Sequence, residues 1–174
     1  MAILTIRRYG DPILRRRAQP VPAVTPEIRT LIGDMVETMY HLVGIGLAAP
    51  QVGLSLRVII GDDERGNGAL PLINPLITDK RGSVIAEEGC LSLPGIFGMI
   101  ERFEWVRVEA LDEDGQPRSF EAQGLRARVI QHEIDHLDGM LFIDRLDKIS
   151  RDRLKRKIKK EGLPDEAPHH AFAL

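Results

Sequence analysis

Runs of residues suited to β-strands are grouped between two helix-like segments, and this grouping restricts the fold more than any other feature. Within 104–111, polar and apolar side chains alternate as in a half-buried antiparallel strand. Asp114-Gly115 is a turn signal that joins this run to 118–123 in a hairpin. Because strands do not alternate one by one with helices, we expect an α+β fold, with mostly antiparallel sheets packed around a central helix. The other strand-like runs are 56–60, 70–77 and 83–87.

The two helix-like segments carry clear start and stop signals. Thr25 is a predicted N-cap and Pro26 stands at the first helical position, before apolar residues spaced along one face. Gly44 is expected to end this helix in the left-handed conformation. Residues 125–137 contain no Gly or Pro and have the apolar spacing of a buried helix.

Composition limits the class of protein. The 174 residues include a single cysteine, Cys90, so an intramolecular disulfide is excluded and a reducing compartment is expected. The arginine-rich start lacks the continuous apolar run of a signal peptide, and the uncharged stretch 38–56 is interrupted by Pro and Gly. We therefore predict a cytoplasmic protein without a membrane segment. One domain is expected over 1–174, with a catalytic core at 1–146.

The C-terminal part is strongly basic. Residues 145–160 carry nine Lys or Arg and two Asp, so the rest of the chain is acidic although the net charge is only −2. We predict a basic helix over 147–161 and a frayed tail over 162–174. Leu146, Ile149, Leu154 and Ile158 favour an amphipathic helix that covers part of the core, and a polyanionic partner is the alternative interpretation.

The second helix carries the motif His132-Glu133-Ile134-Asp135-His136. Imidazoles four residues apart lie on one helix face and can bind the same cation. Glu133, beside them, is suited to accept a proton from water and return it to a leaving group, as in metal-assisted hydrolysis.

Two histidines leave the third ligand of a catalytic metal site open. In one group of metalloproteases the HExxH motif is extended by a third His, but Phe142 stands at that position here. In thermolysin-like enzymes the third ligand is a downstream Glu, which here would be Glu161 or Glu166. The remaining candidate is Cys90, at the end of a predicted strand. Because the two imidazoles have no better third partner, we favour a Cys-His-His site, whose ligands suit both zinc and ferrous iron.

A glycine-rich segment, Gly44-Ile45-Gly46-Leu47-Ala48-Ala49-Pro50-Gln51, follows the first helix. It could be a phosphate-binding loop, but no Lys-Ser/Thr pair follows and the glycines do not stand between a strand and a helix. The side-chain amide of Gln51 could donate a hydrogen bond to a developing oxyanion.

Three segments together, GIGLAAPQ at 44–51, EGCLS at 88–92 and QHEIDH at 131–136, resemble the peptide deformylases of bacteria. The resemblance extends over nearly all of the chain up to about residue 145. It implies an enzyme that removes the formyl group from the N-terminal methionine of new polypeptides. An HExxH metallopeptidase that cleaves internal peptide bonds is the alternative.

The resemblance also implies roles for single residues. Cys90, His132 and His136 would bind a divalent metal, Fe²⁺ in the typical bacterial enzyme, with Zn²⁺, Ni²⁺ or Co²⁺ as replacements. A water on the metal would attack the formyl carbonyl with Glu133 as general base and later general acid. Gln51 and the backbone N–H of Leu91 would stabilise the oxyanion.

The implied substrate is an extended N-formylmethionyl peptide. It would bind the backbone of Ile45, Gly46 and Gly89 as an added strand, with methionine in an apolar pocket. Two positions depart from the expected pattern: Phe97 stands where some members have Arg, and Arg128 stands where a pocket residue would be apolar. The basic helix could bind ribosomal RNA; no DNA partner is expected.

Overall fold

The strands form two antiparallel sheets. The computed structural model describes residues 2–165, and in this part of the chain a five-stranded sheet has the order β1-β2-β3-β6-β7, while β4 and β5 form a separate hairpin. The antiparallel α+β prediction is therefore confirmed. The strands are β1 (Gly46–Ala48), β2 (Val58–Gly61), β3 (Leu70–Arg81), β4 (Val84–Cys90), β5 (Leu93–Arg102), β6 (Trp105–Leu111) and β7 (Pro117–Gln123).

Three α-helices accompany the sheets in residues 2–165: α1 (Pro26–His41), α2 (Leu125–Leu137) and α3 (Lys148–Glu161). The predicted start of α1 is confirmed, because the Thr25 hydroxyl accepts a hydrogen bond from the N–H of Ile28 at 3.3 Å. The bounds of α2 are those predicted. Asp147 is the N-cap of α3, and its carboxylate accepts from the N–H of Ser150 at 2.9 Å.

The end of α1 differs from the prediction. Val43, with φ 58°, adopts the left-handed conformation that was expected of Gly44. The N–H of Val43 donates to the carbonyl of Tyr40, and the N–H of Gly44 donates to the carbonyl of Met39. These two bonds close the helix end and fix the left-handed residue one position earlier than expected. A β-branched residue in this conformation is strained, and Val43 is 51% exposed.

Helix α2 packs against the five-stranded sheet. Ala127, Ile130 and Leu137 are buried among apolar side chains of β2, β3, β6 and β7, including Ile59 and Val108. Because the neighbouring face of the same helix carries His132 and His136, this packing fixes both imidazoles in the interior.

The β4–β5 hairpin and the C-terminal segment share a second apolar cluster. Cys90, Leu93 and Phe142 belong to its buried part. From α3, Leu154 and Ile158 pack against it, as predicted for a helix that covers the core, but Ile149 is 71% exposed and does not. Residues 166–174, which include Glu166 and most of the predicted frayed tail, lie outside the described residues.

The described helices include none long and apolar enough to cross a membrane.

Candidate metal centre

Three buried side chains from two elements converge to form a candidate metal site. Cys90 ends β4, and His132 and His136 lie one turn apart on α2. One ligand atom of each lies within 4.8 Å of the others, and all three residues are buried. Glu161, at the end of α3, does not belong to this group, and the notion of a Glu as third ligand receives no support from the described residues.

The distances within this group suit a metal ion. The Cys90 Sγ and the His136 Nε2 are 3.4 Å apart. In a tetrahedral zinc site, with a Zn–S bond of about 2.3 Å and a Zn–N bond of about 2.0 Å, the two ligand atoms lie about 3.5 Å apart. The His132 Nε2 is buried and has no hydrogen-bond partner among residues 2–165. A bound cation would satisfy this atom, which is otherwise costly to bury.

The other ring nitrogen of His132 is held by Glu88. The distance from Nδ1 to the Glu88 Oε1 is 2.9 Å, so the carboxylate engages Nδ1 and leaves Nε2 as the ring nitrogen that faces the candidate metal position. Arg102 donates to both carboxylate oxygens of Glu88, at 2.8 and 2.9 Å. Burial alone would raise the pKa of Glu88, but the hydrogen bonds from Arg102 and His132 lower it to about 2.

Burial favours the neutral forms of the Cys90 and His136 side chains. Burial, and next the Glu133 carboxylate, raise the pKa of the Cys90 thiol to about 12. Burial, followed by the proximity of His132, holds the pKa of His136 well below its usual value, so its ring is neutral and can donate a lone pair. A cation at this site would stabilise the thiolate and thereby displace the Cys90 proton.

Glu133 lies in the interior with both carboxylate oxygens free. Neither oxygen has a hydrogen-bond partner within residues 2–165. Its Oε1 is 4.0 Å from the His132 Nε2, the atom available to a metal. Burial raises the pKa of Glu133 well above its ordinary value, and the nearby Glu88 carboxylate adds to this shift. The group is thus placed to exchange a proton with a molecule bound beside the candidate metal position.

Gln51 is buried next to Cys90, in the short 3-10 helix that follows β1. Its Oε1 accepts a hydrogen bond from the N–H of Ala48 at 2.9 Å. The Nε2 therefore points the other way, 3.1 Å from the Ser92 Oγ and 3.5 Å from the Cys90 Sγ. The amide presents its donor side to the candidate metal position.

The backbone residues expected to bind substrate flank this group. Gly46 begins β1, and the carbonyl of the preceding Ile45 accepts from the N–H of Asp62 at 2.8 Å. Gly89 lies in β4 opposite Phe97, and Leu91 follows β4 directly. In the described part of the chain, β1 pairs with β2 alone and β4 with β5 alone, so each has one edge without a strand partner.

Residues 3–152 match the family described as Polypeptide deformylase. The chain belongs to this family. The peptide deformylase of Alkalilimnicola ehrlichii is 51% identical over 162 residues, which are 92% of this chain and 91% of the relative. That of Thermodesulfovibrio yellowstonii is 46% identical, with 91% and 98% coverage.

Solved peptide deformylase structures share the fold. The structure from Thermus thermophilus has a TM-score of 0.86 at 47% identity and covers 91% of this chain and 95% of that chain. The structure from Ehrlichia chaffeensis in complex with actinonin has a TM-score of 0.85 at 39% identity, with 92% and 99% coverage.

Several residues around the candidate metal site are not identified by the sequence motifs. Glu88 and Ser92 lie two residues before and two residues after Cys90 in the EGCLS segment. This proximity to a candidate metal ligand is the sequence signal that could have identified them. Arg102, which pairs with Glu88, lies in no motif, and Asp135 lies inside the HExxH motif at a position to which the motif gives no role. Their roles depend on partners that are distant in sequence.

The two positions noted as departures from the family pattern have definite contacts. Arg128 is largely buried, and its Nη2 donates to the carbonyl of Glu87 at 2.8 Å, so it joins α2 to β4. A Cβ added to Gly89 would lie 2.6 Å from the ring of Phe97, which shows that this ring packs directly on the β4 backbone.

Proposed function

We propose that this protein is a metal-dependent hydrolase that removes the formyl group from the N-terminal formyl-methionine of newly synthesised polypeptides and releases formate. The observation that carries the proposal is the buried Cys-His-His group with an unpartnered Glu133 beside it, in a member of the polypeptide deformylase family. In this view α2 is the central helix of the enzyme, because it supplies two of the metal ligands and the general base.

Cys90, His132 and His136 would hold the metal, with Fe²⁺ proposed as the ion loaded in the cell and Zn²⁺, Ni²⁺ or Co²⁺ as replacements. A thiolate with two imidazoles is compatible with all four ions. Such an ion, when bound, supplies Lewis-acid chemistry that polarises a carbonyl and lowers the pKa of water.

Glu133 would handle the proton in both halves of the reaction. As water adds to the formyl carbon, the carboxylate accepts a proton. When the C–N bond breaks, Glu133 returns that proton to the nitrogen of methionine, so the products are formate and a free N-terminal amine. Its free oxygens and raised pKa support both steps.

Gln51 and the N–H of Leu91 would stabilise the negative charge that develops on the formyl oxygen. The amide of Gln51 is held by Ala48, so its N–H donors need not reorient as charge forms. Such fixed donors in a site without bulk water lower the barrier more than the same groups would in solution.

The peptide would lie between the two free strand edges, bonded to Ile45, Gly46 and Gly89 through its main chain. Ile45 and Val129 form a small buried apolar cluster against which Leu125 packs. We propose this cluster as the wall of the methionine pocket. Main-chain recognition explains how one site can accept many sequences after the first residue.

The decisive experiment is release of formate from formyl-Met-Ala by anaerobically purified protein loaded with Fe²⁺. Glu133→Ala is the matched control, because it keeps the three metal ligands and removes the base. The absence of turnover in the metal-loaded protein, or full turnover in Glu133→Ala, contradicts the proposal. An N-terminally blocked longer peptide in the same assay tests for internal cleavage, the product expected of an HExxH metallopeptidase.

The basic helix α3 is proposed as a contact for ribosomal RNA. Its Lys and Arg side chains are mostly exposed, while Leu154 and Ile158 pack on the core, so the charge faces outward. Gln substitutions at Arg153, Arg156 and Lys160 should weaken salt-sensitive co-sedimentation with ribosomes and leave formyl-Met-Ala turnover unchanged. Unchanged co-sedimentation contradicts this role.

A cytoplasmic location and a single domain over 1–174 stay predictions from the sequence.

A further inference from the structure

A chain of ion pairs runs from the metal ligand His132 towards the protein surface. Beyond the Glu88–Arg102 pair, the Nη1 of Arg102 donates to the Asp135 Oδ2 at 2.6 Å. Asp135 also accepts two hydrogen bonds from Arg145, at 2.6 Å from Nε and 2.8 Å from Nη2. The order is therefore imidazole, carboxylate, guanidinium, carboxylate, guanidinium.

The chain passes from the interior to solvent. The side chain of Glu88 is fully buried, those of Arg102 and Asp135 are 2% and 10% exposed, and that of Arg145 is 40% exposed. Two positive and two negative groups alternate, so the cluster is neutral as a whole. Removing the charge of Arg145 would leave the buried Asp135 carboxylate with Arg102 as its remaining cationic partner in the cluster. Burying an incompletely paired charge is costly in a low-dielectric interior.

The same pairs join the two elements that carry the metal ligands. Glu88 and Arg102 lie in the β4–β5 hairpin, which also holds Cys90. Asp135 lies on α2 between the two histidines. The Arg102–Asp135 ion pair is therefore one of the contacts that hold the hairpin carrying the thiol against the helix carrying the imidazoles. Arg145, at the end of a short 3-10 helix after α2, donates to both carboxylate oxygens of Asp135.

We propose that Arg145 is a positioning residue for the metal centre, which acts through Asp135 and Arg102 on the orientation of Glu88 and His132. Two parallel N–H donors fix the plane of the Asp135 carboxylate, and this leaves Oδ2 shared between Arg145 and Arg102. This inference rests on the metal site of the proposed function. A half-exposed ion pair with no such role would contribute little to the site.

The test measures metal affinity and geometry with Co²⁺ as the probe, by chelator competition and by the visible spectrum of the loaded protein. Loss of an outer hydrogen-bond partner of a ligand typically weakens metal binding 10–100-fold. We expect Arg145→Gln to weaken Co²⁺ binding about 10-fold, the low end of that range, and to shift the Co²⁺ bands. Arg145→Lys should recover part of the affinity, because it restores the charge without the two-pronged geometry.

Arg107→Gln is the matched control: it breaks an exposed arginine–carboxylate pair, with Glu121 on β7, and should change neither readout. Coupling through Asp135 is tested by repeating Arg145→Gln in an Asp135→Asn background, where its additional effect should largely disappear. Wild-type affinity and an unchanged spectrum in Arg145→Gln overturn the proposal, as does an undiminished effect in the Asp135→Asn background. If Arg145→Gln does not fold, wild-type behaviour of Arg145→Lys overturns the need for the two-pronged contact.

These readouts do not depend on the reaction. A wild-type protein that binds Co²⁺ but releases no formate contradicts the proposed function and leaves the role of Arg145 intact. Conversely, formate release by wild type with no effect of Arg145→Gln on Co²⁺ binding contradicts only the role of Arg145.

Discussion

The Cα of Gly46 lies directly against the carboxylate of Glu133: a Cβ added to Gly46 would be 2.5 Å from the Glu133 Oε1 and 3.0 Å from its Cδ. The absence of a side chain at the first residue of β1 therefore makes the space in which the proposed general base sits. Because Glu133 is buried, its carboxylate cannot move aside into solvent. The glycine-rich segment and the HExxH helix are thus parts of one site.

Replacing Gly46 with Ala should displace the Glu133 carboxylate and slow the reaction. A misplacement of about 1 Å at a catalytic group can lower the rate about 100-fold, and we expect a loss of kcat of this order. Metal content should stay at the wild-type level, since the three ligands are untouched. Gly98→Ala is the matched control, because the three atoms nearest its new Cβ all belong to the flexible side chain of Leu146, the first at 3.1 Å. Equal kcat values for wild type and Gly46→Ala would contradict the prediction.

Gln51→Leu should lower kcat about 100–1,000-fold, as expected when one donor to a developing oxyanion is removed. The change keeps a side chain of similar size in a fully buried position and leaves the metal ligands in place. Formate release and metal content are measured together. Ser92→Ala provides the comparison: it removes an acceptor of the amide, 3.1 Å away, but keeps the donor. A larger loss in Ser92→Ala than in Gln51→Leu argues against the oxyanion role.

Features encoded by neighbouring residues could be predicted from the sequence. The cap and first proline of α1, the uninterrupted α2 and the Asp114-Gly115 turn between β6 and β7 all depend on local chemistry. The left-handed residue at the end of α1 is Val43 and not the expected Gly44, because the backbone hydrogen bonds that close the helix fall one residue earlier.

Strands that depend on a distant partner were missed. Strand β5 contains Pro94, Gly95 and Gly98, residues that disfavour a strand in isolation, and it forms because β4 lies beside it. Strand β1 has three residues, too few for an alternating pattern. The sequence motifs identify the three proposed metal ligands. They do not identify the pairing of Arg102 with Glu88 and Asp135, because these residues become neighbours only when the chain folds.

Gly139→Ala should destabilise the fold. Gly139 has φ 74°, and a Cβ there would lie 2.5 Å from the backbone carbonyl oxygen of Arg15, which cannot swing away as a side chain would. We expect a loss of about 1–3 kcal/mol in the free energy of unfolding, measured by urea denaturation. Two effects contribute to this loss, the positive φ and the clash with Arg15. Gly66→Ala measures the first alone, because Gly66 also has a positive φ, 85°, but has no atom within 4 Å of the added Cβ. Equal losses in the two variants would show that the contact with Arg15 adds nothing.

The ion pair between Arg15 and Asp144 should make stability depend on pH in the acid range. Burial alone would raise the pKa of Asp144, but hydrogen bonds from Arg15 and from the N–H of Leu141 outweigh it and hold this pKa below the ordinary value. A carboxyl whose pKa is lower in the folded state stabilises the fold above its unfolded pKa, and this contribution is lost as pH falls through the folded pKa.

Asp144→Asn removes that contribution at every pH. The difference between wild type and Asp144→Asn in the free energy of unfolding should therefore be constant from pH 7 to about pH 5 and should shrink below about pH 4. Urea denaturation at fixed ionic strength measures it. Because the Arg15 side chain is 41% exposed, 1 M salt should reduce the difference at neutral pH. A difference that grows as pH falls would mean that protonated Asp144 is favoured in the folded state, the opposite of what its hydrogen bonds predict.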